Sequence, residues 1–174
     1  ARLTQVHMPA HALVRLMRGE APLLVHEPSD ATITWDGGGY YVVTIRSRHE
    51  AVEEVRLTPA PNDFDLPYAQ QHVRVLRVRV TQRGYVHFDA HLADHESVAT
   101  MAAREDDLGL EPPIPPSGPA CRVEVPRRIR VQVPYTRADV MFRYKQVGLN
   151  PPLVGGVFSQ QVPGGVQRRW VTCR

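Results

Sequence analysis

The stretch that decides the fold is HVRVLRVRVTQRGYVHFDAHL, residues 72–92. Apolar residues alternate with arginines before Gly84, and with histidines and an aspartate after it. Alternation with a period of two is typical of a β-strand with one buried face, and a glycine between two such runs is typical of a hairpin. A three-residue loop, Gln82-Arg83-Gly84, sets a register with one apolar face and one charged face. The predicted opposite pairs are Val80 with Val86, Val78 with Phe88, Leu76 with Ala90, Arg79 with His87, and Arg77 with Asp89.

A second hairpin is predicted from ATITWDGGGYYVVTIRS, residues 31–47, which alternates on both sides of DGGG. The core-facing residues that we expect here are Ile33 and Trp35 on the first strand, and Tyr41, Val43 and Ile45 on the second. Further strands are predicted from AVEEVRLT, CRVEVPRRIRVQVPY and ADVMFRYKQV. Pro126 and Pro134 should bound a strand or mark a sheet edge, because proline lacks the N–H that a β-ladder needs.

Two short helices are also predicted. The first covers residues 9–18, where Pro9 suits a helix start, Leu13, Leu16 and Met17 share one face, and Gly19 suits a helix end. The second covers residues 95–104, because Asp94 before HESVATMAAR is typical of an N-cap.

Strands therefore outnumber helices, and we predict one mainly β domain over residues 1–174, an antiparallel β-sandwich or barrel-like fold with long proline-rich extended arms. The apolar share of 43% suits a globular chain. The parts that we predict are a helix at about 9–18, a β portion at about 22–92, a helix at about 95–104, a proline-rich arm at about 105–120 and a C-terminal β portion at about 121–174.

The arms are LGLEPPIPPSGPA and VGLNPPLVGGVFSQQVPGGV, which combine apolar side chains with prolines that prevent regular ladders. A solvated linker would be polar, so apolar extended arms indicate a surface on which they lie. That surface is either the domain itself or a neighbouring subunit, and we favour the neighbouring subunit. The predicted contact residues are Leu110, Pro112, Pro113, Ile114, Pro115, Pro116, Pro151, Pro152, Leu153, Val154 and Phe158.

Candidate chemistry is sparse. His87, Asp89 and His91 share one face of the predicted strand, as metal ligands would, but arginines lie opposite them and disfavour a bound cation. A solvated strand face is therefore our preferred interpretation, with these three residues as a weak metal candidate. The chain lacks the nucleophile-elbow, phosphate-loop and dinucleotide-binding motifs. We predict no catalytic residues and no cofactor.

Charge and cysteine content restrict the compartment and the partners only partly. The net charge is +3, and the arginines alternate with valines or lie beside acids, so nucleic-acid binding is not supported. No apolar run reaches the roughly 20 residues that span a bilayer, so we expect no membrane span. Cys121 and Cys173 suit either a disulfide or two buried thiols. A disulfide would favour an extracytoplasmic or virion-associated location.

The leading hypothesis is a non-enzymatic structural or accessory subunit of a larger assembly, such as a viral or phage particle or a bacterial envelope complex, with other protein subunits as partners. The alternative is an extracytoplasmic β-sandwich module that presents Trp35, Tyr40 and Tyr41 to a glycan or a peptide. The third is a metal-dependent enzyme that uses the His87, Asp89 and His91 cluster. The identity of any small-molecule ligand stays open.

Overall fold

The computed structural model describes residues 8–105, 109 and 112–153. Its main feature is an antiparallel sheet of seven strands, in which each strand pairs with the next one along the chain. The elements are α1 (Ala10–Met17), β1 (Ala31–Asp36), β2 (Tyr40–Ser47), β3 (Ala51–Pro59), β4 (Val73–Gln82), β5 (Tyr85–Ala99), β6 (Arg122–Val133) and β7 (Ala138–Arg143). The predicted mainly β class with a short helix is confirmed. The sheet is not closed into a barrel, and β1 and β7 form its two edges.

The chain divides into two compact units. The first contains α1 and all seven strands, over residues up to Ala99 and Arg122–Val147. The second contains Thr100–Cys121 and the residues from Gly148 onward. Isolated β-bridges, and not strands, connect the described residues of the second unit.

The hydrophobic core lies between α1 and one face of the sheet. Leu16 is fully buried and Met17 packs against the same cluster, so the helix predicted at 9–18 is confirmed. Pro9 directly precedes α1, and Gly19 follows it at φ 81, a conformation that glycine adopts readily. The core side chains of the sheet come from β3 to β6: Val55, Val75, Val78, Val80, Phe88, Ala90, Leu92, Ile129, Val131 and Val133.

The hairpin at residues 72–92 is confirmed, but its register differs from the predicted one. The turn contains two residues, Arg83 at φ 48 and Gly84 at φ 79, and the register shifts between Val80 and Thr81. The observed pairs are Val80 with Phe88, Val78 with Ala90, Arg79 with Asp89, and Arg77 with His91. Each partner on β5 therefore lies two residues beyond the predicted one. A shift of two keeps the side chains from Arg77 to Val80 on their predicted faces. The bulges change the faces at the two ends of the hairpin, where the prediction is wrong: Val86 pairs with Thr81 on the charged side, and Val75 takes the core position predicted for Leu76.

The helix predicted at residues 95–104 is wrong, because β5 continues as a strand to Ala99. Asp94 is not an N-cap. It has a φ of 57, and the pairs on either side of it, Ala93 with Arg128 and His95 with Pro126, keep the same register with β6. Pairing along the whole of β6 outweighs the local helix signal, since cross-strand packing decides strand formation more than propensity does.

The glycine-rich hairpin is confirmed, with β1 and β2 on either side of Gly37–Gly39. Ile33 pairs with Val43 and lies on the core side of the sheet, as predicted. The predicted burial of this strand is wrong, however, because Ile33 is 63% exposed and Trp35 is 51% exposed. The reason is that α1 packs on β6, near the β7 edge of the sheet. The helical layer therefore does not cover β1, which forms the opposite edge.

The two prolines of the C-terminal portion also have assigned positions. Pro126 lies inside β6, in the part before Arg128 that β7 does not pair with, so it marks an edge of the sheet as predicted. Pro134 directly follows β6 and ends it. The missing N–H of each proline therefore leaves the paired part of β6 and β7 intact.

Candidate functional site

The charged face of the sheet is organised around Asp89. Its Oδ1 accepts a hydrogen bond from Arg77 Nε at 2.8 Å, and its Oδ2 accepts one from Arg77 NH2 at 2.5 Å. His91 Nε2 lies 3.3 Å from Oδ1, and Arg79 Nε lies 3.9 Å from Oδ2. Burial raises the pKa of Asp89, but the bonds and charge of Arg77 outweigh it and hold the pKa below its usual value. Both carboxylate oxygens of Asp89 thus accept hydrogen bonds from Arg77.

This arrangement does not bring the three candidate metal ligands together. His87 Nε2 lies 2.9 Å from Gln82 Oε1, near the turn, while His91 lies beside Asp89. Both Asp89 oxygens already accept hydrogen bonds from arginine. Within residues 8–105, 109 and 112–153, no group of three or more His, Cys, Asp or Glu side chains is placed to hold a metal ion. Asp89 and His91 belong to a polar network with Arg77, and His87 lies outside it at the bulge.

Glu53 is a buried acid that the sequence analysis missed. Its side chain lies on the core side of β3, directly between Ile45 and Val80, and is 0% exposed. Oε2 accepts a hydrogen bond from the backbone N–H of Leu24 at 2.8 Å, whereas Oε1 has no partner among the residues that the structure describes. Burial raises the pKa of Glu53 to about 6, against smaller lowering effects of the Leu24 bond and of His26. The signal was present in AVEEVRLT, because alternation with Val55 places Glu53 on the apolar side.

An exposed apolar area lies at the β1 edge of the sheet. We define the edge patch as Ile33, Trp35, Tyr41 and Val43, which lie on the core side of β1 and β2. The rings of Trp35 and Tyr41 meet edge to face, with centroids 4.7 Å apart. Tyr41 is fixed further by its hydroxyl, which donates to Gln71 Oε1 at 2.9 Å. The patch is therefore a rigid apolar surface at an open edge.

An aromatic cleft lies at one end of the sheet, beside the β4–β5 turn and the residues after β6. We define the tyrosine cleft by the residues that line its volume of about 510 Å³: Tyr85, Val86, His87, Val133, Pro134 and Tyr135. Tyr85 is 79% exposed and Tyr135 is 94% exposed. An adjoining pocket of about 440 Å³ shares Val86 and Pro134 with the cleft and is lined by Arg79 and Arg137 as well. Aromatic and cationic surfaces thus lie side by side.

The described parts of the two proline-rich arms pair with neighbouring residues of the second unit. Ile114 exchanges two backbone hydrogen bonds with Arg104, of 2.8 and 2.9 Å, and Pro116 bridges to Pro152. The exposed positions are Pro112, Pro113, Pro115, Pro151 and Leu153, whereas Ile114, Pro116 and Pro152 are half-buried. Leu110, Val154 and Phe158 lie outside the described residues. The predicted contact role of the arms stays a prediction.

The predicted disulfide also stays a prediction. Cys121 is exposed, and its backbone N–H donates to the Thr100 hydroxyl oxygen at 2.8 Å. Cys173 lies outside the described residues. The compartment that a disulfide would favour is therefore also a prediction.

Comparison with known proteins supplies no relative. No family model matches the sequence, no curated protein matches it, and no solved structure matches it. Among the residues described, no helix has the length and apolar character needed to cross a membrane. Function has to be inferred from the surfaces described above.

Proposed function

We propose that this chain is a non-enzymatic structural or accessory subunit of a larger protein assembly, such as a viral or phage particle or a bacterial envelope complex. The observation that carries the proposal is the edge patch, where the core side of the sheet lies open to solvent. Exposed apolar side chains that continue the core layer of a sheet are a feature of protein interaction sites.

The edge patch offers a partner both apolar area and backbone groups. A tryptophan side chain buries roughly 150–250 Å² when covered, so covering the exposed half of Trp35 contributes on the order of 2–3 kcal/mol. Strand β1 is an edge strand, and edge strands present unpaired N–H and C=O groups to a neighbouring chain. A partner element laid on the patch would extend the core layer over β1.

The proline-rich arms add to this support. Pro112, Pro113 and Pro115 are exposed while Ile114 is held by its backbone bonds to Arg104. Prolines on ordered, extended backbone lose little conformational freedom on binding, which favours their use as contacts. Leu153, at 39% exposure, adds a large apolar side chain in the second arm.

The test compares Ile33→Arg with Thr34→Arg, its neighbour on the opposite face of β1. Each tagged variant would be expressed in the native source and its sedimentation followed through a density gradient. We expect the unmodified chain and Thr34→Arg to sediment with defined partner subunits at fixed stoichiometry, and Ile33→Arg to sediment as the free chain. Circular dichroism would confirm that both variants fold. Free chain in every case, or equal behaviour of the two variants, would contradict the proposal.

A second candidate function is a ligand-binding module for a glycan or a peptide, and the Trp35–Tyr41 pair favours it. An ordered aromatic pair with a half-exposed indole provides a platform for sugar rings or apolar side chains. Trp35 and Trp170 are the two tryptophans of the chain, so a Trp170→Phe variant reports on Trp35 alone. Saturable changes in the Trp35 emission on titration with a glycan or peptide panel would support this function, and an unchanged spectrum would exclude those ligands.

A further inference from the structure

We propose that the tyrosine cleft of one copy of this chain binds the proline-rich segment, residues 112–116, of a second copy. The inference names a partner for an assembly subunit and so rests on the proposed function, but it uses a surface other than the edge patch. Three observations carry it: the chemistry of the cleft, the presentation of the segment, and the charges that flank each of them.

The cleft has the chemistry that binds extended, proline-rich backbone. Domains that recognise such segments do so with grooves lined by aromatic rings, against which the flat faces of prolines pack. Tyr85 and Tyr135 expose their rings at the same cleft, and Pro134 and Val133 form apolar wall between them and the sheet. Ring hydroxyls of the two tyrosines add donors for the carbonyl groups of a bound segment, other than that of Ile114, which accepts from Arg104.

The segment is PPIPP, and three of its four prolines are exposed. Pro112, Pro113 and Pro115 are exposed, and the backbone of Ile114 is fixed by both hydrogen bonds to Arg104. A run of prolines favours polyproline II conformation, in which three residues make one turn and Pro112 and Pro115 would lie on the same side. A segment held in extended form before binding loses little entropy when it docks. Cleft and segment are therefore both preformed.

Charges beside the two surfaces are complementary. The pocket that adjoins the cleft contains Arg79, whose side chain is 42% exposed, and the exposed Arg137. Asp89 and Asp139 line the same pocket, but Asp89 is paired with Arg77, and Asp139 with Arg130 at 2.6 Å.

The sequence before PPIPP is acidic, because the residues that precede Pro112 include Glu105, Asp106, Asp107 and Glu111. Carboxylates next to the docked prolines would therefore meet the exposed guanidinium of Arg137 and the exposed part of Arg79. This match selects the segment at 112–116 over the second arm, where NPPLVGG carries no acidic residue.

Contact between two different patches has a consequence for assembly. When one patch of a molecule binds another patch on its copy, two copies either exchange segments reciprocally and close as a two-fold dimer, or the association continues into a ring or an open filament. In each case the mean size of the particles should grow with protein concentration.

The test uses a fluorescently labelled synthetic peptide of residues 104–119 and the full chain. We expect saturable binding in fluorescence anisotropy, weakened at least about tenfold by Tyr135→Ala in the chain or by Pro112→Ala with Pro115→Ala in the peptide. Tyr68→Ala is the matched control, because Tyr68 is 84% exposed and does not line the cleft. Added salt should weaken binding, since the flanking charges are solvent-accessible.

Sedimentation velocity over a range of concentrations then tests the second copy. We expect larger species at higher concentration, and the loss of these species in Tyr135→Ala but not in Tyr68→Ala. A chain that is monomeric at all concentrations, a peptide that does not bind, or equal effects of the two tyrosine variants would each overturn the inference. Ile33→Arg separates the two proposals, because it should abolish partner binding through the edge patch and leave peptide binding unchanged.

Discussion

Glu53 gives the sharpest quantitative expectation about this fold. Burial raises its pKa from 4.5 to about 6 in the folded chain, so the folded chain holds this proton more tightly than the unfolded chain does. At pH values below 4.5 the side chain is neutral in both states and imposes no penalty. As the pH rises through about 6, ionisation in the apolar layer lowers the free energy of unfolding, by about 2 kcal/mol in total.

The perturbation that isolates this effect is Glu53→Gln. Glutamine keeps the shape of the side chain, and its carbonyl oxygen still accepts from the Leu24 N–H, but it does not ionise. We therefore expect the stability of the variant relative to the unmodified chain to improve by about 2 kcal/mol between about pH 4 and about pH 7.5. The assay is urea-induced unfolding followed by circular dichroism at both pH values.

Glu54→Gln is the control, because Glu54 is the next residue of the same strand on the solvent face, with an ion pair to Arg56 at 3.3 Å. We expect it to change stability by less than about 0.5 kcal/mol at either pH. A His26→Gln background would remove the imidazole beside Glu53 and leave the effect of burial in place. If Glu53→Gln shows the same stability difference at both pH values, the carboxylate is solvated and the reasoning fails.

Three further substitutions test the packing and the turns of the first unit. Leu16→Ala should lower the free energy of unfolding by about 2–5 kcal/mol, measured by urea unfolding, whereas Val14→Ala on the exposed side of α1 should change it by less than about 0.5 kcal/mol. Gly19→Ala should cost at least about 1 kcal/mol in thermal unfolding, because its φ is 81 and a Cβ would meet a proline ring at 2.8 Å, while Gly37→Ala, with no atom within 4 Å, is the control. Asp89→Asn should cost about 1–3 kcal/mol at neutral pH, and this cost should vanish as the pH falls below 3.8, where the lowered pKa of the carboxyl is crossed.

Local patterning was enough to predict the strands, apart from the end of β5, and the faces of their regular parts. Alternation fixes which side chains of β4 and β5 share a side only between bulges, so Leu76 and Val86 were assigned to the wrong face. The register itself was missed because the turn has two residues and a bulge at residues 86–88 offsets the strand again, and neither feature leaves a mark in the alternation. Asp94 was misassigned for a related reason, since its local signal suits a helix while its pairing partners lie more than thirty residues away.

The candidate sites were harder to predict than the fold. Exposure of Ile33 and Trp35 depends on how far the helical layer extends, which is a tertiary property and not a property of β1. The tyrosine cleft exists because the turn before β5 and the residues after β6 meet at one end of the sheet. Tyr85 and Tyr135 are distant in sequence, so no spacing motif joins them. Glu53 could have been predicted, because its alternation with Val55 in the sequence places it on the apolar side of the strand.

The order of the strands has a consequence for how the chain reaches its folded state. Since every strand pairs with its predecessor, β1 to β5 can form one after another as synthesis proceeds, through short closures that cost little entropy. The step from β5 to β6 is different, because Thr100–Cys121 must be looped out before Val98 meets Val123. We therefore expect the pairing of β6, with α1 packing over it, to be the slow step of folding. We also expect ribosome-bound chains that end before Arg122 to leave the edge of β5 unpaired, where chaperones would bind.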